Sequence, residues 1–403
     1  MPFWAAVGKV CGSVASDMQV AKAGQVANHQ CVLPAELYNY YYNNTALALM
    51  VITFLVYGQG MGKITVISGY NRSNLWLISI ITILFIGTRP VSSVFVDMTT
   101  YAQSYELTAA TGQTLYPDWL FNSLNRLMAD SFSVETFFLV CSILYVVPLA
   151  WASQRVHKEW ALAALLAFIG AFSFFAYGVN GLRNGIATSL VILAIAFSDR
   201  KIIMGLLMVA AAGFHKSALL PIAAFLLTQL NSTVSVYSTL WLACLILASI
   251  SGERLAPAIV DLVSLGDDTR LEGYSQGTGE DRGGYRLDFI LYSIVPVILT
   301  YLLADRAKRL DIFYRRILCT YLAANAFWLI VMYAAYSNRF AYLSWFLMPW
   351  VIIYPFIPIG KQAQGRALGA PIDPRLGLLG MALVVHHIFT YIMAVFVYPA
   401  AQR

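Results

Sequence analysis

Charge is what this sequence has least of. Only 11% of its 403 residues are charged, while 59% are hydrophobic and the mean hydropathy is +0.68. An average soluble domain is about one quarter charged. A fold of this size has too little interior to hide so much apolar surface, so the reading is a chain whose solvent is the bilayer. That excludes a cytosolic enzyme, a disordered protein and a nucleic-acid binder. The net charge of +6 does not reverse the last exclusion, because Lys and Arg are scattered over short connections. Cysteine is also scarce, with five residues and no CxxC pair, which excludes a disulfide scaffold. Cys141, Cys244 and Cys319 sit in apolar runs and read as small hydrophobes. Cys11 and Cys31 share the N-terminal segment and could pair if that segment lies outside the cytoplasm. The familiar signatures of soluble chemistry are missing too: no GxxxxGK[ST], no HExxH, no GxSxG, and no Cys/His cluster at metal spacing. No metal or cofactor is expected.

What is present is a series of apolar runs. A spanning helix needs about 20 mostly apolar residues. Twelve candidates lie at roughly 42–58, 74–88, 132–151, 160–178, 183–198, 202–214, 217–230, 234–251, 287–304, 316–336, 340–358 and 376–398. The expectation is an all-α polytopic membrane protein of about 12 transmembrane helices, a single domain over 1–403, with no assigned role for 1–40. The runs at 74–88, 202–214 and 217–230 are short. Sidedness follows from Lys and Arg in the short loops. Segments 59–73, 152–159, 199–201, 305–315 and 359–375, with Arg316, hold 14 of the 26 basic residues but only 5 of the 20 acidic ones. These segments are read as cytoplasmic. The two long connections, about 89–131 and 252–286, then face outward, and both termini with them.

Four polar constellations fall at span ends on that outer side. Asn180-Gly-Leu-Arg183-Asn184 opens one helix, and a guanidinium there can grip a phosphate through two oxygens. Phe214-His215-Lys216-Ser217 joins two apolar runs, and His is the side chain best suited to move a proton near neutral pH. Tyr285-Arg286-Leu287-Asp288 closes the second long loop, and Ser337-Asn338-Arg339-Phe340 forms a turn between two spans. Each arginine could instead be a snorkelling anchor, and each turn a plain polar connection. Five ionisable groups in four constellations on one side nevertheless suit a site for a large anionic head group, and a pyrophosphate fits best.

Residues 180–226 resemble the EpsG/Wzy-type polymerases of bacterial exopolysaccharide and O-antigen synthesis. Arg183 with Ala187 matches that family's Arg-x-x-x-Ala helix start. Phe214, His215, Ser217, Ala218 and Leu219 match its Phe-His-x-Ser-Ala-Leu stretch. Upstream, Arg89 followed by Asp97 and Tyr101 fits the family's first outer loop, without the usual Gly before the Asp. The likeness runs over about 75–360. It implies a glycosyltransferase C-like bundle in the bacterial inner membrane, working on undecaprenyl-pyrophosphate-linked oligosaccharide at the periplasmic face, with a chain-length regulator as a further partner. It also implies roles: Arg183, Arg286, Arg339 and Arg89, with Tyr101, Asn180 and Tyr285, hold pyrophosphate and glycan. His215 is the first choice of base, with Asp288 or Asp97 in reserve. The rival reading is a flippase or other transporter of the same lipid-linked sugars. Transporters tend to show internal repeats and polar groups at the midplane, and this sequence shows neither.

Overall fold

The computed structural model describes residues 33–58, 64–251, 254, 284–304, 311–334, 337–357 and 374–394. Cys11, Cys31 and most of the 252–286 loop lie outside these residues. Contacts divide the chain into Met1–Pro34 and Ala35–Arg403, and every described helix belongs to the second unit. Among the described residues all regular structure is helical.

Helices α1 (Tyr38–Gly58) and α2 (Ile64–Gly87) come first. The long connection at about 89–131, read from the sequence as facing outward, carries two helices, α3 (Met98–Thr111) and α4 (Trp119–Ala129). Gly112 closes α3 at φ 70°, a left-handed conformation that favours glycine. Then follow α5 (Val134–His157), α6 (Ala161–Ile169), α7 (Phe172–Val179) and α8 (Leu182–Ala196). Ser133 starts α5 by accepting the Thr136 N–H. The pair α9 (Lys201–Phe214) and α10 (Leu219–Leu230) is as short as its sequence suggests. The remainder comprises α11 (Val234–Ser251), α12 (Leu287–Ala304), α13 (Ile312–Val331), α14 (Asn338–Trp345), α15 (Met348–Ile353) and α16 (Pro374–Ile392).

Every residue of α6 is buried. A helix that is apolar all round belongs at the centre of a bundle, and α2, α5, α15 and α16 all pack against it. On the other flank, polar side chains tie α11 through α14. Asn325 donates to Ser293 and Ser344 at 3.1 and 2.9 Å and accepts the Trp241 indole N–H at 2.7 Å. Ser293 also accepts from Trp345 at 2.9 Å. All of these are buried, so each unmade bond would leave a desolvated polar group.

Two expected spans are broken. The run 160–178 divides at Gly170-Ala171 into α6 and α7, and 340–358 divides into α14, α15 and a short 3-10 turn. At the first break the freed carbonyls find partners from elsewhere in the chain. Tyr42 donates to Ile169 O at 2.5 Å, and His387 Nδ1 lies 3.3 Å from Gly170 O. A Cβ on Gly170 would come within 2.5 Å of the Met50 terminal methyl, so the chain passes close to α1 at the break. Twelve continuous spans are therefore not what these helices give. Two stretches, Val134–Ile169 and Val234–Ser251, are long and apolar enough to cross a membrane, and shorter apolar helices accompany them. Apolar side chains also face outward: Ile202, Leu206 and Val209 share one face of α9 and are 80%, 67% and 62% exposed. Cys141, Cys244 and Cys319 are buried free thiols, as their apolar settings suggest.

Candidate functional site

Alternating helices bring the polar turns to two opposite ends. At one end Arg155 bridges Asp199 at 2.7 Å, Lys201 donates to Gln229, and Tyr354 donates to Asp311. Arg155, Asp199, Lys201 and Asp311 belong to the segments read as cytoplasmic. Hydrogen bonding by Arg155 holds the Asp199 carboxyl below its ordinary range.

The other end is built around an aspartate that motif reading passed over. Asp118 precedes α4 in the N-cap position with extended backbone, but its side chain makes no capping bond. Its oxygens go elsewhere. Oδ2 pairs with the Arg183 guanidinium and Oδ1 accepts the backbone N–H of Lys216 at 3.3 Å. The carboxylate is 2% exposed and the arginine side chain 12%. A third contact locks the two turns together, Ser217 Oγ donating to Asn184 Oδ1 at 2.5 Å. Arg183 further lies 4.0 Å over the Tyr116 ring and donates through Nε to the Tyr101 hydroxyl at 3.4 Å. A Cβ on Gly213 would come within 2.7 Å of the Trp119 ring, so α9 and α4 meet as closely as a glycine allows.

Arg183, Tyr101, Asp97 and His215 are thus brought together. Burial chiefly, and the Asp97 charge after it, raise the Tyr101 phenol, while Arg183 opposes them; the hydroxyl stays protonated at neutral pH. His215 caps α9, and its Nδ1 accepts the Ser217 N–H at 3.1 Å. That bond uses the Nδ1 lone pair and leaves the proton of the neutral ring on Nε2, which then donates rather than accepts. Asp97 stands before α3, half-buried, and no hydrogen bond or ion pair occupies its carboxylate among the described residues. The Asp97 carboxylate therefore has lone pairs to offer.

A second group forms where α12 begins. Arg286 and Asp288 make a two-pronged pair at 3.0 and 2.6 Å, with the guanidinium 3.8 Å over the Phe289 ring. Tyr285 accepts from Ser249 at the end of α11, and the Gly284 N–H donates to Met332 O just past α13. These contacts place 249, 284–288 and 332 at one end. Arg339 starts α14, is exposed, and lies within electrostatic reach of Tyr177. Asn180 is the C-cap of α7 and lines a cavity beside α1.

Arg89 has a different place. It is 2% exposed, donates to Ile86 O and Val179 O, and packs against the Phe95 and Phe138 rings. Its charge satisfies the carbonyl ends of α2 and α7 and so holds these helices together. No group of three or more His, Cys, Asp or Glu side chains placed to hold a metal occurs among the described residues.

Compared with known proteins, residues 73–368 match the model of the EpsG family. No curated protein and no solved structure matches the chain.

Proposed function

The chain belongs to the EpsG family, associated with exopolysaccharide biosynthesis, and from that premise we propose that it is a multi-pass polymerase of the bacterial inner membrane. It transfers a growing glycan from undecaprenyl pyrophosphate to a lipid-linked repeat unit at the periplasmic face. The observation that carries this reading is the Arg183 cluster, in which Asp118 and Asn184 fix an arginine and a histidine-bearing turn at the end opposite Arg155 and Asp199.

The geometry supports the following roles. Asp118 and Tyr101 use two of the five Arg183 N–H donors, leaving three for pyrophosphate oxygens. Exposed Lys216 adds charge, and His215 Nε2–H is a further donor to the leaving group. Asp97 takes the proton from the acceptor sugar hydroxyl. As that oxygen bonds to the anomeric carbon, the bond from this carbon to the pyrophosphate oxygen breaks, and the departing oxygen keeps the electron pair. Donors already aimed at the charge that develops there lower the barrier without reorganising. Arg286 and Arg339 serve the glycan at the rim, with Tyr285 beside them, and Asp288 holds Arg286 in place.

Deleting the gene tests this reading against the transporter. Cells without the protein should make glycans capped by a single repeat unit while export continues. Accumulation of the lipid-linked unit on the cytoplasmic side would assign a flippase instead.

A further inference from the structure

Beside the break between α6 and α7 lies a cavity of about 90 Å³ for water-sized spheres, walled by α1, α7, the chain around Phe95, and Tyr342 of α14. A single water needs roughly 10–15 Å³ on that measure, so several water volumes fit. Its chemistry differs from that of the arginine cluster. Among the described residues no Lys, Arg or His lines it. Polar groups come from Glu36, Asn39 and Asn180, and aromatic rings from Phe95, Phe175 and Tyr342. A cavity without cations is a poor host for pyrophosphate. Carboxylate and amides pair with hydroxyl groups, and flat rings cover the apolar face of a sugar, so this lining fits a neutral saccharide.

Its position strengthens the assignment. Asn180 lies three residues before Arg183, at the junction of α7 and α8, and Tyr342 lies one turn after Arg339 on α14. Tyr342 also packs on Tyr177, the phenol within reach of the Arg339 charge. Arg89 stiffens the wall by holding Val179 O while stacking on Phe95. Asn43 donates to Asn39 O and Oδ1 at 2.8 and 2.7 Å, which orients the Asn39 amide. We propose that this cavity is a saccharide subsite, holding one sugar unit of the lipid-linked substrate next to Arg183, which holds its pyrophosphate. The proposal rests on the polymerase reading for its substrate, but the cavity can be tested separately.

Two probes separate the questions: the single repeat-unit oligosaccharide, released from the cell's own polymer and free of lipid and phosphate, and undecaprenyl pyrophosphate without sugar. Saturation-transfer NMR on the full chain in detergent should show contact with the oligosaccharide. Ala176→Phe, which fills the cavity from α7, should weaken that binding at least about tenfold and leave undecaprenyl pyrophosphate binding within twofold. If Ala176→Phe loses both, its fold is compromised and Glu36→Gln decides, because this exposed side chain should weaken only the sugar, about threefold. Sugar binding that survives both substitutions, or that is missing in the unaltered protein, overturns the subsite. Missing undecaprenyl pyrophosphate binding with intact sugar binding strikes the polymerase reading and leaves the subsite standing.

Discussion

Among the described residues, two Arg–Asp pairs lie at the end opposite Arg155 and Asp199, and they are built on different principles. Arg286 and Asp288 are neighbours in sequence, with side chains 28% and 23% exposed. Arg183 and Asp118 are 65 residues apart, and their side chains are 12% and 2% exposed. The local pair could form in almost any fold that starts a helix there, so it reports little about the architecture. The distant pair exists only when α4, α8 and the α9–α10 turn are assembled, because the same carboxylate also holds the Lys216 N–H. A buried charge deprived of its partner is costly, whereas exposed pairs contribute little. Asp97 completes the contrast as the carboxylate that neither arginine neutralises.

The largest effect should come from that third carboxylate. Asp97→Asn keeps size and polarity but replaces the carboxylate with an amide too weakly basic to take the proton. Initial rates of polymerisation should fall by about 10²–10⁴-fold with lipid-substrate affinity unchanged, the range for losing a general base. Near-normal turnover would return the role to His215, with the Ser217 bond released. Next in size is Asp118→Ala. Stranding buried Arg183 should cost about 3–5 kcal/mol, read as a lowered unfolding midpoint of the purified protein. A midpoint unchanged from wild type would show that the distant pair is no more than a surface contact.

Arg183→Lys keeps the charge and discards the planar fork that meets Asp118, Tyr101 and pyrophosphate together. Losing one charge-assisted contact of about 1.5–3 kcal/mol predicts roughly 10- to 150-fold slower polymerisation. Full activity in the Lys variant would make Arg183 a charge anchor only. The smallest effect belongs to Asp288→Asn, which should shift stability by about 1 kcal/mol or less. A loss as large as that of Asp118→Ala would erase the difference between the two pairs.

The same contrast explains how much the sequence could disclose. Arg183, His215, Arg286 and Arg339 stand out because ionisable groups are rare in apolar surroundings, and the short helices α9 and α10 follow from the lengths of their runs. Asp118 carries only a local signal, an Asp before a helix, and that signal points to capping. Its actual partners, Arg183 and Lys216, come from distant segments. The split of 160–178 is hidden for the same reason. The run is uniformly apolar, and the break is held by Tyr42 and His387 from α1 and α16. Arg89 shows the converse: its fit to a motif suggests a ligand role, yet Ile86 O and Val179 O claim its guanidinium.

The central claim is that the Arg183 end of this bundle lengthens a glycan on a lipid pyrophosphate. Purified full-length protein, reconstituted in liposomes with the lipid-linked repeat unit as its sole substrate, tests it most directly. A ladder of products differing by one repeat unit, shortened or lost in the Asp97→Asn protein, is the predicted result. A lipid-linked unit that stays a monomer while crossing the liposome membrane would contradict the claim.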